Sequence, residues 1–171
     1  MNISAFKQFL IFLGLLVFEI FIVSRIQISY LISPSVYLFF ILQLRVRTSG
    51  YWVLLFGFLS GLLFDLIFHT GGVHAASTTL AAFLRVLILP VFLSTEDYDN
   101  NIHPGIYTMG PGRFLLFSFI LLYAHHLSWF MLEIFKFDRI WITLLKAVIS
   151  SMLSLALIYI IGLLFYKKKR I

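Results

Sequence analysis

The chain has no cysteine among its 171 residues, which excludes disulfides and thiolate metal centres. Charge is almost as scarce. Asp, Glu, Lys and Arg make up 12% of the sequence, against roughly 25% in soluble domains. The sequence has no H-E-x-x-H, no phosphate-binding glycine loop, no cofactor motif and no nucleophile–base pair, so nothing in it points to an enzyme or a cofactor. Internal repeats and low-complexity tracts are also missing. The alternation of apolar and polar residues that marks a membrane β-barrel is absent from stretches such as Phe9 to Val23 and Met152 to Phe165.

What is present is hydrocarbon: 61% hydrophobic residues and a mean hydropathy of +1.03. No soluble fold of this size hides so much apolar surface, so membrane lipid is the solvent for most of the chain. Crossing a bilayer takes roughly 20 helical residues, and about six crossings use roughly 120. What is left suffices for loops and not for a second domain. The expectation is an all-α integral membrane protein, one polytopic domain over 1–171 with about six transmembrane helices.

The spans are predicted as Phe9 to Val23, Tyr30 to Leu44 (with Pro34 in its first turn), Tyr51 to Phe68, Val73 to Leu93 (ended or kinked near Pro90), Phe114 to Phe135 and Trp141 to Tyr166. Tyr51-Trp52 reads as an interfacial anchor and Gly71-Gly72 as a tight turn. Residues 94–112 form the one long loop, with acids Glu96, Asp97 and Asp99. The first apolar run follows Lys7, but no small-x-small cleavage site comes after it, so an uncleaved helix is expected.

The net charge of +6 is no nucleic-acid signal, because the cations sit at span ends, foremost the run Lys167-Lys168-Lys169-Arg170. With both termini inside, the inner flanks hold Lys7, Arg45, Arg47, Arg113 and that tail; the outer flanks hold Arg25, Lys136 and Arg139. The long loop and the tail 167–171 are therefore expected in the cytoplasm.

An ionisable group inside a span is costly and a functional candidate. Glu19, Asp65 and Glu133 all fall in the outer half of the membrane in this topology. Glu133 and Lys146 flank a short hairpin and are expected to pair, orienting two helices or meeting a partner. Arg85 is expected to snorkel to the inner interface. Asp65, His69 and His74 surround the glycine turn; a hydrogen-bonded cluster fits them better than a metal site, because they straddle a turn. His125-His126 and Ser150, Ser151 and Ser154 read as interhelical hydrogen-bonding residues.

The pattern Gly57-x-x-x-Gly61-x-x-x-Asp65 puts two glycines and an acid on one helix face, where another helix can approach closely. A groove between spans three and four, receiving a partner's membrane helix, is the expected use of that face. The stretch Phe56 to Leu66, followed by Gly72-Val73-His74-Ala75 and Thr79-Leu80-Ala81-Ala82-Phe83-Leu84, resembles the MreD family of rod shape-determining proteins over about thirty residues. Gly57, Gly61, Asp65, Gly72 and His74 are the positions that match.

The resemblance implies a bacterial inner-membrane protein that is not an enzyme. It implies a bundle similar to the substrate-binding component of energy-coupling-factor transporters. It also implies binding to MreC and, through that assembly, association with MreB, RodA and a penicillin-binding transpeptidase in lateral peptidoglycan synthesis. The competing class is a small-molecule transporter component that holds a vitamin in its outer polar pocket.

Overall fold

A computed structural model describes residues 5–21, 32–94, 102–134 and 140–165. Seven helices lie within them: α1 (Ala5–Phe21), α2 (Leu38–Leu42), α3 (Gly50–Phe68), α4 (Val73–Phe92), α5 (Ile106–Met109), α6 (Pro111–Ile134) and α7 (Ile140–Phe165). The expected acidic cluster at 96–99, the turn at 136–139 and the basic tail lie outside the described residues.

Four helices, α3, α4, α6 and α7, are long and apolar enough to cross a bilayer, with mean hydropathies between 1.6 and 2.2. Their bounds fall within three residues of the expected spans, and α1 is a shorter apolar helix. Chain neighbours pack as antiparallel pairs, α3 on α4 and α6 on α7, with α4 also against α6. Large apolar side chains point outward, among them Leu66 (65% exposed), Trp141 (80%) and Val91 (81%). Such a surface suits lipid and not water. Tyr51 and Trp52 are exposed at the start of α3, the position expected of an interfacial anchor.

The second expected span is not a transmembrane helix. Residues 33–36 carry no regular structure, and helix resumes only for the five residues of α2. This stretch nonetheless runs lengthwise through the centre of the bundle. Near the end that carries the α3–α4 turn, Tyr37 stacks on Phe64 with ring centroids 4.1 Å apart. At the opposite end, Val46 N–H donates to the Ile102 carbonyl. Phe12 meets Phe40 while Glu19 meets Val36, so the stretch is antiparallel to α1. Val36, Tyr37, Leu38, Phe39, Ile41 and Leu42 are each at most 2% exposed.

The physical reason lies in Ser33-Pro34-Ser35. Proline disfavours helix at the residue before it and offers no N–H to a helical ladder. The extended backbone that results is tolerated at membrane depth only where protein encloses it. The other helices are therefore wrapped around it.

Pro90 falls near the end of α4, as expected. It sits in the last turn, and the helix runs two residues further, to Phe92.

Candidate functional site

The five motif residues meet in the α3–α4 hairpin. A methyl group built on Gly57 would stand 2.6 Å from Ala82 Cβ and 3.2 Å from the Thr78 carbonyl oxygen. One built on Gly61 would stand 2.5 Å from the His74 oxygen and 2.6 Å from Ala75 Cα. Two helix backbones thus touch along the glycine face. The sequence expectation of a close-approach seam holds, but the occupant is α4 of the same chain. The glycine face of α3 is therefore occupied by α4.

Asp65 lies at the end of that seam and serves both helices. Its main-chain carbonyl accepts from His69 and Thr70, closing α3. Its side chain opens α4: Oδ1 accepts from the His74 amide at 3.0 Å, and Oδ2 from the Ala75 amide at 2.8 Å. A helix start leaves four amides without intrahelical partners. Here Val73 donates to the Thr70 carbonyl, and Asp65 supplies acceptors for the next two, His74 and Ala75.

The N-cap residue itself is Gly72, with φ 95° and no side chain to do this work. Asp65 thus performs the N-cap role from the preceding helix, where the positive end of the α4 dipole favours a carboxylate. The Thr70 hydroxyl donates to Asp65 at 2.5 Å and stands 2.8 Å from His74 Nδ1. His74 Nδ1 lies 3.3 Å from the carboxylate, and its ring packs 4.6 Å from Trp129 of α6.

The hydrogen-bonded cluster expected around the turn is thus Asp65, Thr70 and His74. His69 is exposed, in the left-handed conformation with φ 55°. Among the described residues no group of three His, Asp or Glu is placed to hold a metal ion.

A second group of intramembrane polar residues serves the extended segment. Glu19 accepts from the amides of Val36 (2.6 Å) and Tyr37 (3.2 Å). Ser150 Oγ accepts from Ser33 N–H (3.2 Å), and Ser154 Oγ from Ser35 N–H (2.8 Å). His126 stands between two carbonyls, with Nδ1 2.7 Å from Leu122 O and Nε2 3.1 Å from Ser33 O. The hydroxyls of Ser151 and Ser154 lie 3.3 and 3.4 Å from the same two ring nitrogens. The Tyr37 hydroxyl pairs with Thr78 at 2.7 Å and lies 3.5 Å from His125 Nε2.

Arg85 does not snorkel. It is 1% exposed and donates to the Leu44 carbonyl, because the carbonyls that follow α2 need donors and lipid supplies none. Its Nε has no partner among the described residues. One residue earlier, the Gln43 carbonyl accepts from His103 Nδ1–H at 2.8 Å, and Arg45 Nε–H donates to His103 Nε2 at 3.4 Å. Burial pushes the His103 imidazole below its ordinary value, and the Arg45 and Arg85 guanidiniums act in the same direction against the Gln43 carbonyl.

Glu133 is exposed near the end of α6, and Lys146 lies on α7.

Between the two polar regions lies a dry layer. The gap bordered by Leu38, Ile41, Leu42, Ala81, Leu121 and Leu122 is too narrow for a water molecule. Compared with family models, curated proteins and solved structures, the chain has no significant match to any of them.

Proposed function

We propose that this protein is a non-enzymatic membrane scaffold of the bacterial cell-elongation machinery. In this reading it sits in the inner membrane with both termini cytoplasmic, in a bundle of the kind found in the substrate-binding component of energy-coupling-factor transporters. It binds an MreC-like single-span protein and, through that assembly, MreB, RodA and a penicillin-binding transpeptidase, supporting lateral peptidoglycan synthesis and rod shape.

The observation that carries the reading is the motif shared with the MreD family. Gly57, Gly61, Asp65, Gly72 and His74 belong to one structural unit, a closely packed hairpin stitched by a single carboxylate. Residues that build a hairpin explain why the motif has its spacing. They also move the partner surface off the glycine face, which is occupied, onto the outward faces of the bundle.

The test is an affinity pull-down of the full chain in mild detergent, after co-expression with the MreC-like protein of the same cell. Recovery of that protein with the folded chain is the expected result. Its absence from the eluate refutes the reading. Thermal stabilisation by a member of a vitamin panel would instead favour the transporter class.

A further inference from the structure

Side chains hold the enclosed stretch at its two ends. At one end Glu19, Ser150, Ser154 and Thr78 meet Ser33 to Tyr37. At the other, Arg85 and His103 meet the carbonyls of Leu44 and Gln43. Between the ends the contact is apolar on both sides, with Leu38, Ile41 and Leu42 bordering the dry gap against Ala81, Leu121 and Leu122. Surfaces of this kind let one packed element slide on another.

Buried polar atoms are paired in roughly 90% or more of cases, so an unpaired one calls for a cause. Among the described residues five buried side-chain atoms have no partner: Gln43 Oε1, Ser77 Oγ, Arg85 Nε, Ser118 Oγ and His125 Nδ1. Gln43 lies on the stretch itself, and Arg85 touches it at the next residue. At the other end His125 stands edge-on to Tyr37, with ring centroids 5.8 Å apart, and Ser77 precedes Thr78, the partner of the Tyr37 hydroxyl. Ser118 is one helical turn before Leu122 of the gap. Four of the five form complements: an amide oxygen with a guanidinium N–H at one end, a hydroxyl with an imidazole nitrogen at the other.

We propose that the enclosed stretch is a sliding rod with two positions. In the one described above, the Tyr37 end is tied down and the Gln43 and Arg85 atoms are unpaired. In the other, the stretch moves along its own axis, Gln43 Oε1 accepts from Arg85 Nε–H, and Tyr37 leaves Thr78, so that Ser77 and His125 pair. Bonds gained at one end are linked to bonds lost at the other. Whatever ties down either end is therefore felt across the dry layer, whichever partner it is.

The experiment is amide hydrogen exchange of the full-length protein in lipid nanodiscs, read by mass spectrometry on fragments covering residues 33–37. Fragments from the middle of α3 gauge global opening. Gln43→Leu removes the acceptor that the second position needs, so exchange at 33–37 should slow several-fold. Gln43→Glu offers Arg85 a carboxylate there, so exchange at 33–37 should quicken several-fold. The α3 fragments should exchange as in the parent in both.

Ser77→Ala acts at the far end and should slow exchange at 33–37 as Gln43→Leu does, so the test stands even if a change at position 43 prevents folding. A stretch with one position gives a different pattern: exchange at 33–37 unchanged, or moved in the same direction by Gln43→Leu and Gln43→Glu. Either pattern, or faster exchange in Ser77→Ala, would overturn the proposal.

Discussion

Replacing Asp65 with alanine removes the acceptor for two amides, those of His74 and Ala75, at the buried start of α4. Water does not reach this place to replace it, since Asp65 and His74 are each 5% exposed. A buried donor left without a partner costs roughly 1–3 kcal/mol. Loss of a carboxylate from a helix N-terminus costs roughly 0.3–2 kcal/mol more.

The sum for Asp65→Ala is about 4 kcal/mol, a large fraction of the roughly 5–15 kcal/mol by which folded domains are stable. Asp65→Asn keeps one oxygen and turns an amide nitrogen toward the other donor, so it should lose about half as much. Thr70→Ala, which removes one of the donors to the carboxylate, should cost about 1 kcal/mol.

Reversible unfolding in mixed dodecyl sulfate micelles is the suitable assay, because helices persist in the detergent-unfolded state and the signal reports tertiary contacts. The order Ala, then Asn, then Thr70→Ala is the expected ranking. An Asp65→Ala protein within 1 kcal/mol of the parent would refute the assignment of Asp65 as the cap of α4.

Gly61→Ala should destabilise more than Gly57→Ala, since its new methyl group meets backbone atoms of His74 and Ala75, whereas that at Gly57 meets the Ala82 side chain first. Overpacking of this kind costs roughly 1–3 kcal/mol, read in the same unfolding assay. His69→Gly should stabilise by about 1 kcal/mol, because His69 closes α3 at φ 55° and is exposed. His103 should make stability depend on pH. The folded protein resists its protonation while the unfolded chain takes up a proton near pH 6.5. Stability is therefore full above roughly that pH and falls as the medium is acidified through and below it. Melting temperatures measured from about pH 7.5 to about pH 5.5 should decline less steeply in His103→Asn, and equal slopes would count against the Arg45–His103–Gln43 arrangement.

Much of the fold was readable from hydropathy because the long helices face lipid and cannot be anything else there. The bounds of α3, α4, α6 and α7 follow from where the apolar runs meet glycine, proline or charge. The failure lay at Tyr30 to Leu44. Hydropathy reports removal from water, and a segment enclosed by helices is as apolar as one that faces lipid. The discriminating signals were present in the sequence. They were Ser33-Pro34-Ser35, which opposes helix, and an excess of buried donors and acceptors elsewhere: Glu19, Arg85, His126, Ser150 and Ser154. Taken one at a time these looked like helix-packing residues. Counted together they exceed what packing needs, and they match the amides and carbonyls an extended stretch would leave open.

The hairpin motif was legible as a close-approach seam, but a pattern of glycines has no means of saying whether the approaching helix is its own neighbour or a stranger. Arg85 was misplaced for the same reason as the second span, because its acceptor, the Leu44 carbonyl, exists only if α2 ends where it does.

The enclosed stretch also constrains how the molecule is assembled. Helices can enter a bilayer one by one, each closing its own backbone bonds, but residues 33–36 have no such independence. The partners of Ser33 and Ser35 lie 117 and 119 residues further along, on α7, and so are synthesised after every other described helix. Until α7 is in place, the amino-terminal quarter has no finished location. A chain stopped before Ser150 should therefore hold its early segment exposed to quality-control proteases, however well the intervening helices have inserted.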